Sequence, residues 1–123
     1  MPLIRSEDAP SFSLDSLTVT GLASPSRHAT ETSVWRVHVA PESSGAEHSV
    51  DREEIFVALS GAADFVIDGT VTTVAAGDAF VVPANTPFSL VVRGVAFDAV
   101  CVLPVGGLAT LTGGEPFVPP WAA

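Results

Sequence analysis

Turn-forming residues constrain this chain most strongly, because glycine and proline interrupt it repeatedly at intervals of about eight to twelve residues. Between these interruptions the apolar residues alternate with polar ones or form short continuous runs, and helical spacing of apolar residues is hard to find. Many short strands separated by turns are typical of sandwiches and barrels. The sequence therefore predicts an all-β domain.

The segment from Ser33 to Ala40 shows the alternation most clearly. Trp35 and Val37 share one face of this predicted strand, while Arg36 and His38 share the other. Several predicted strands have apolar residues on both faces, which favours a closed or two-sheet structure over a one-sided sheet. The remaining strands are predicted at Phe12 to Leu22, Glu54 to Leu59, Ala62 to Ile67, Val71 to Ala75, Ala79 to Val82, Phe88 to Val92 and Val95 to Leu103.

The charge of the chain excludes one class of partner. The net charge is −9, with 14 acidic residues against five arginines and no lysine. An acidic surface repels phosphate groups, so we expect no nucleic-acid partner and no anionic membrane partner.

The N-terminal segment has no apolar stretch of signal-peptide length, which predicts a cytoplasmic protein. Cys101 is the only cysteine, so an internal disulfide is excluded.

The segment HSVDREEIFVALSG, which ends at Gly61, resembles the first sequence motif of the cupin family. That motif contains two histidines, then a glutamate, then a glycine. His48 falls on the first histidine, Glu54 on the glutamate and Gly61 on the glycine. Val50 stands where the second histidine is expected, so the resemblance is incomplete at a position that carries chemistry in cupins.

The segment GDAFVVPANTPFSLVV, which begins at Gly77, resembles the second cupin motif. Gly77 and Pro83 fit that motif. Asn85 stands where a glycine is usual, Phe88 where the third histidine is usual, and Val92 where an asparagine is usual. The two motifs lie at the separation typical of cupins, with one hairpin between them, so the resemblance implies the cupin fold.

The implied architecture is a cupin-like double-stranded β-helix, or jelly-roll barrel, in a single domain over residues 1–123. The resemblance covers a barrel core at about residues 33–104, followed by a Gly- and Pro-rich tail over residues 106–123. Phe117 and Trp121 would be costly to expose in a disordered tail, so we expect the tail to dock on the barrel or on a second subunit.

In cupins the histidines and the glutamate point into the barrel and hold a divalent metal ion. Here the resemblance leaves only His48 and Glu54 at those positions, whereas a catalytic metal site takes about three protein ligands and a structural one about four. We therefore expect no cofactor and no tightly bound metal. If iron, manganese, nickel or zinc is bound, His48 and Glu54 are its expected ligands, with substitutes from Asp51, Glu53, His38, His28 or Cys101.

His48 and Glu54 are also the candidate catalytic residues. A carboxylate partly removed from water beside an imidazole acquires the shifted proton affinity that acid–base catalysis requires. The alternative is a hydrogen-bonded pair that only satisfies its own polar atoms in the core.

Small-molecule sites combine apolar walls with few polar anchors. Arg36 and His38 are candidate anchors for an anionic group at the mouth of the barrel, although strand alternation allows both to face solvent instead. The other candidate pocket residues, which have ordinary core packing as their alternative, are Val50, Phe56, Phe88, Phe97 and Cys101.

Together these features favour a small-molecule binding protein that works without metal chemistry. The alternatives are a metal-independent isomerase or cyclase that uses His48 and Glu54, a metal-dependent dioxygenase with substitute ligands, and an accessory protein that acts through its surface. Apolar residues on both faces of the strands predict a homodimer.

Overall fold

The computed structural model describes residues 1–123 and contains twelve β-strands. They are β1 (Ser11–Leu14), β2 (Leu17–Ala23), β3 (Thr32–Val39), β4 (Ser43–Ser44), β5 (His48–Val50), β6 (Glu54–Ser60), β7 (Ala62–Ile67), β8 (Thr70–Ala75), β9 (Ala79–Val82), β10 (Ser89–Val92), β11 (Phe97–Pro104) and β12 (Ala109–Leu111). Short 3-10 turns occur at Ser6–Asp8, Pro25–Arg27 and Pro120–Ala122. The all-β jelly-roll prediction is confirmed.

The strands form two principal antiparallel sheets. The large sheet has six strands in the order β1-β2-β3-β11-β6-β9, and the small sheet has four in the order β4-β10-β7-β8. A further pair, β12-β5, joins the tail to the segment of the first motif. The space between the large and small sheets is called the lumen below, and the core side chains of both sheets fill it.

Side-chain alternation decides which residues reach the lumen. On β11 the buried residues are every second one, and the same holds for β6 from Glu54 to Ala58. Cys101 of β11 pairs with Phe56 on one side and with Trp35 on the other, so these three side chains cross the large sheet in one row on its lumen face.

The first predicted strand is wrong in one respect. The segment from Phe12 to Leu22 forms two strands, β1 and β2, which pair with each other across a tight turn. Asp15 adopts a positive φ of 47° in that turn, a conformation that Asp tolerates better than most residues. The last predicted strand begins later than Val95, because residues 93–96 form a turn and Val95 is exposed.

Gly61 is required by the backbone between β6 and β7. Its φ is +72°, and a Cβ atom there would collide with the carbonyl oxygen of Ala96. Glycine at the end of the first motif therefore has a steric reason in this chain.

The tail packs on the barrel of its own chain. Ala109 exchanges two backbone hydrogen bonds with Phe117, at 2.8 and 2.9 Å. The ring of Trp121 lies against Phe12 and Trp35, with centroid distances of 6.1 and 6.4 Å. None of the helices is both long and apolar enough to span a membrane.

Candidate functional site

Glu54 is the one acidic residue that is buried in this protein. It begins β6 and shares the lumen face of that strand with Phe56 and Ala58, because these residues alternate with partly exposed ones. Its residue accessibility is 5%, and its Oε1 atom is shielded from solvent without a hydrogen-bond partner. A buried polar atom that lacks a partner is uncommon in folded proteins.

Burial changes the proton affinity of this carboxyl. It raises the pKa of Glu54 from 4.5 to about 8, because the apolar surroundings disfavour the charged form. The side chain is therefore mainly a neutral carboxylic acid at neutral pH. In that form it has one O–H group to donate and a carbonyl oxygen to accept a hydrogen bond.

Cys101 lies in the same lumen and is fully buried. Burial raises the pKa of its thiol well above the ordinary value, and the nearby charge of Glu54 raises it further. A thiol in this state is neither a strong nucleophile nor a ready metal ligand. Cys101 thus contributes to the lumen as a small apolar side chain.

His48 and Glu54 are not joined by a hydrogen bond, so the alternative of a pair that satisfies its own polar atoms is wrong. The ring of His48 packs on Phe88 with a centroid distance of 4.4 Å, and its Nδ1 lies 3.0 Å from the carbonyl oxygen of Ala46. Since that oxygen only accepts, Nδ1 of His48 carries the proton. The ring is only partly buried, whereas Glu54 lies within the core.

The side chains in the lumen do not fit a metal ion. Val50, Phe88 and Val92 are buried hydrocarbon at three positions where cupins carry polar motif residues. The chain nowhere gathers three side chains of the kind that bind metals, namely His, Cys, Asp or Glu. Of the substitute ligands considered, His28 and Glu53 are exposed. The carboxylate of Asp51 accepts a hydrogen bond from the backbone N–H of Leu108 at 2.7 Å.

Phenylalanine rings form the walls of the lumen. Phe56 and Phe88, both candidate pocket residues, lie 5.8 Å apart between ring centroids. The centre of the cluster is Phe65, which the sequence reasoning did not single out, and it contacts Phe56 at 5.0 Å, Phe80 at 4.5 Å and Phe97 at 6.4 Å. Strand alternation could have identified Phe65 from the sequence, because Asp64 is expected to face solvent and its neighbour Phe65 then faces the lumen.

Arg36 and His38 lie outside the lumen, so their predicted place at its mouth is corrected. Trp35 and Val37 take the inward positions of β3, and alternation turns Arg36 and His38 to the outer face of the large sheet. They line a depression of about 400 Å³ there, together with Asp98 and others.

Asp98 organises the polar groups in that depression. His38 Nδ1 lies 2.7 Å from one of its carboxylate oxygens, and the hydroxyl of Ser60 donates to the other at 2.8 Å. Burial alone would raise the pKa of Asp98, but the hydrogen bonds from His38 and Ser60 and the charge of His38 outweigh it and lower that pKa.

A second depression lies on the surface next to the motif segments. It has a volume of about 490 Å³ and is lined by Glu47, Ile67, Asp68, Asn85, Thr86 and Pro87. Glu47 directly precedes His48, and Pro87 directly precedes Phe88. Two of its lining residues are thus the sequence neighbours of His48 and Phe88, although neither of those rings lines the depression.

Comparison with solved structures identifies several similar folds. The polyketide cyclase RemF from Streptomyces resistomycificus aligns with a TM-score of 0.81 and 19% identity over 98% of this chain and 88% of that protein. KdgF from Halomonas sp. aligns with a TM-score of 0.72 and 17% identity over 85% of this chain and 93% of that one. Salicylate 1,2-dioxygenase from Pseudaminobacter salicylatoxidans aligns with a TM-score of 0.73 and 18% identity over 89% of this chain and 34% of that one.

Sequence comparison gives the family. No curated protein matches this sequence. The sequence profile of the cupin domain matches residues 35–105, which agrees with the two motif segments and with the strands that carry them. The chain therefore belongs to the cupin family.

Proposed function

We propose that this cupin binds a small, largely apolar molecule in its lumen, with Glu54 as the polar anchor and without a tightly bound metal ion. The observation that carries the proposal is the buried Oε1 atom of Glu54, which has no hydrogen-bond partner. Leaving such an atom unpaired costs about 1–3 kcal/mol. A ligand that supplies the missing hydrogen bond recovers part of that free energy on binding.

The chemistry of the lumen defines the class of ligand. Phe56, Phe65 and Phe88 present flat apolar surfaces, which suit an aromatic or similarly flat molecule. The neutral carboxyl of Glu54 donates and accepts, so it suits a hydroxyl, a carbonyl or a carboxylate group on the ligand. We therefore propose an aromatic alcohol, ketone or acid as the ligand class.

Entry of a ligand requires movement of side chains at one end of the barrel. Phe88 is fully buried and His48 covers it from outside. The depression lined by Glu47 and Pro87, the chain neighbours of His48 and Phe88, is open to solvent. We propose that a ligand enters there by displacing Phe88, whose ring takes the place of the histidine found in other cupins.

The experiment is a calorimetric titration of the purified protein with naphthol, naphthoate and naphthalene. These probes share the flat ring system and differ in their polar group. Tighter binding of naphthol or naphthoate than of naphthalene is expected, by about tenfold for one good hydrogen bond. Glu54→Leu should remove this preference, whereas Glu53→Gln, a change at the exposed neighbouring acid, should leave it unchanged.

Two results would refute the proposal. One is that naphthol, naphthoate and naphthalene bind the wild-type protein with the same affinity, and that Glu54→Leu leaves this affinity unchanged. The other is stoichiometric iron, manganese, nickel or zinc in protein purified without chelators or a nickel column, because Glu54 would then be a metal ligand.

A second candidate function is metal-independent acid–base catalysis, such as an isomerase or cyclase performs. It is favoured by the pKa of about 8 for Glu54, since a carboxyl that exchanges its proton near neutral pH is suited to that work. The polyketide cyclase RemF shares the fold, which supports this candidate without deciding it.

Proton exchange distinguishes the two functions. Tetralone is a flat ketone with exchangeable hydrogens next to its carbonyl, and NMR in heavy water follows their replacement by deuterium. An enzyme would accelerate exchange, and its rate would rise as pH passes about 8, where Glu54 becomes a base. Glu54→Gln would then bind tetralone but fail to accelerate exchange. If the wild-type protein binds tetralone without accelerating exchange, the catalytic function is excluded and only the binding function remains.

A further inference from the structure

We propose that residues 109–123 form a strap that opens and closes the lumen at the end where the ligand enters. The strap runs from β12 to the 3-10 turn at Pro120–Ala122. Both of its ends are fastened to the barrel, whereas residues 111–118 between them are exposed. This inference rests on the proposed function, because it concerns access to the same lumen.

The strap borders β5, the strand that carries His48. One edge of β5 meets Phe88, with which His48 exchanges two backbone hydrogen bonds at 3.0 and 2.8 Å. The other edge pairs with β12, where Val50 lies opposite Ala109. β12 is the only strand that pairs with β5, and a two-stranded pair is marginally stable by itself. When the strap leaves, β5 loses that support and His48 can turn away from Phe88.

The far end of the strap reaches the row of the large sheet that contains Glu54. The buried hydroxyl of Ser33 donates a hydrogen bond to the carbonyl oxygen of Ala122 at 3.0 Å. Ser33 lies opposite Leu103 in the pairing of β3 with β11, and the register of β11 with β6 brings Glu54 to the other side of Leu103. The strap therefore borders the lumen at β5 and also in the row of the proposed polar anchor.

Arg27 fastens the far end of the strap. Its Nη2 donates a hydrogen bond to the carbonyl oxygen of Trp121 at 3.0 Å, while its Nε donates to the carbonyl oxygen of Leu22 at 3.2 Å. The guanidinium thus ties the strap to the end of β2. Gly21 provides the space for it, since a Cβ atom there would collide with Nη2 of Arg27.

The strap is held more weakly than the two sheets. Phe117 and Val118 have exposed fractions of 41% and 42%, so they bury little apolar surface. The indole Nε1 of Trp121 is shielded from water without a hydrogen-bond partner, which makes the closed position less favourable. Segments that bury few apolar side chains open at a lower free energy than the core strands do. The strap can therefore open while the barrel stays folded.

Amide hydrogen exchange, followed by NMR on the full chain, tests the opening without any ligand. The amide hydrogens of Phe117 and Ala122 in the strap and of His48 in β5 are all hydrogen-bonded to backbone carbonyl oxygens. If the strap and β5 open together, these three amides should exchange with the same opening free energy. They should exchange faster than the amides of β11 in the core of the large sheet.

Arg27→Met retains an unbranched side chain and removes the hydrogen bond to the strap. It should accelerate exchange at Phe117, Ala122 and His48 by about tenfold, the effect of one hydrogen bond from a charged group, and leave β11 unchanged. Arg93→Met is the matched control, because the guanidinium of Arg93 contacts Asp64 on the small sheet. It removes the same charge and should change none of these rates.

Stopped-flow fluorescence with naphthol then tests access to the lumen. Arg27→Met should raise the association rate and the dissociation rate by the same factor of about ten and leave the Kd unchanged, because the strap closes over the free and the occupied lumen alike. Naphthol is uncharged, so the loss of a positive charge does not alter its encounter with the protein. Ser33→Ala removes the hydroxyl that holds Ala122 and should act in the same direction by a smaller factor. It provides the test if Arg27→Met does not fold.

Three results would overturn the strap. The first is faster exchange at Phe117 and Ala122 with no change at His48. The second is equal acceleration at β11, because Arg27 would then stabilise the whole fold. The third is coupled exchange with unchanged naphthol rates, since the opening would then not lead to the lumen. If naphthol does not bind the wild-type protein at all, the proposed function fails instead, while coupled exchange at His48 would still support the strap.

Discussion

Replacing Glu54 by glutamine should change how stability depends on pH. The folded-state pKa of Glu54 is raised from 4.5 to about 8, so the folded protein holds this proton where the unfolded chain has lost it. Below about pH 4.5, the pKa of this carboxyl in the unfolded chain, Glu54 is protonated in both states and the free energy of unfolding has its full value. As pH rises from about 4.5 to about 8 the unfolded chain ionises first, and the free energy of unfolding falls. Glutamine is neutral throughout and removes this dependence.

The magnitude follows from the shift. Between its two pKa values the carboxyl lowers the free energy of unfolding by roughly 1.4 kcal/mol per pH unit. From about pH 5 to about pH 8 the loss is on the order of 3–4 kcal/mol. That is a large part of the 5–15 kcal/mol that stabilises an ordinary domain. The loss arises because the unfolded chain gains free energy by ionising Glu54 in water, whereas burial keeps the carboxyl neutral in the folded protein up to about pH 8.

Urea unfolding at a series of pH values measures this difference. Trp35 is buried and Trp121 partly buried, so tryptophan fluorescence reports the transition. The other titratable groups are present in both proteins, so their contributions cancel in the difference between the two profiles. The lowered pKa of Asp98 and the raised pKa of Cys101 act below and above this range, respectively.

The expected result is a gap between wild type and Glu54→Gln that widens in favour of the variant as pH rises to about 8. Glu53→Gln, at an exposed position, should follow the wild-type profile. Parallel profiles for wild type and Glu54→Gln would refute the reasoning, because the carboxyl would then titrate alike in the folded and unfolded states.

Three further predictions concern other parts of the molecule. Gly61→Ala should destabilise the fold by more than about 1 kcal/mol in urea unfolding, whereas Gly69→Ala, at a similar φ but in open space, should cost less; equal losses would contradict the steric argument. Phe88→Ala should cost about 3–5 kcal/mol of stability and allow naphthalene to bind more tightly, and unchanged affinity would argue against entry at Phe88. Mass spectrometric metal analysis should find far less than one metal ion per chain, and a stoichiometric ion would contradict the donor-set argument.

The fold could be predicted because strand alternation and turn residues depend on local sequence. Trp35 and Val37 already implied that Arg36 and His38 face outward, and that alternative is the one the structure supports. The division of the first strand at Asp15 was missed because a polar residue in an alternating segment fits a strand as well as a turn. Phe65 was missed because its importance comes from the rings around it, which lie on other strands.

The candidate site could be predicted only in part. Glu54 was identified from the first motif, but its missing hydrogen-bond partner depends on every neighbour in the lumen. Spacing along the chain did not reveal that His48 would pack on Phe88 and use Ala46 as its hydrogen-bond acceptor. Those contacts arise from the pairing of His48 with Phe88 across the barrel, which is a long-range property.

The most direct measurement is an NMR titration of the side-chain carboxyl carbon of Glu54 in protein labelled with carbon-13. A midpoint near pH 8 that moves when naphthol or naphthoate is added is the expected result, because the carboxyl is neutral, buried and free to bind a ligand. A midpoint near the ordinary value of 4.5, with or without the probes, would contradict the account, since Glu54 would then be solvated or paired with a positive charge.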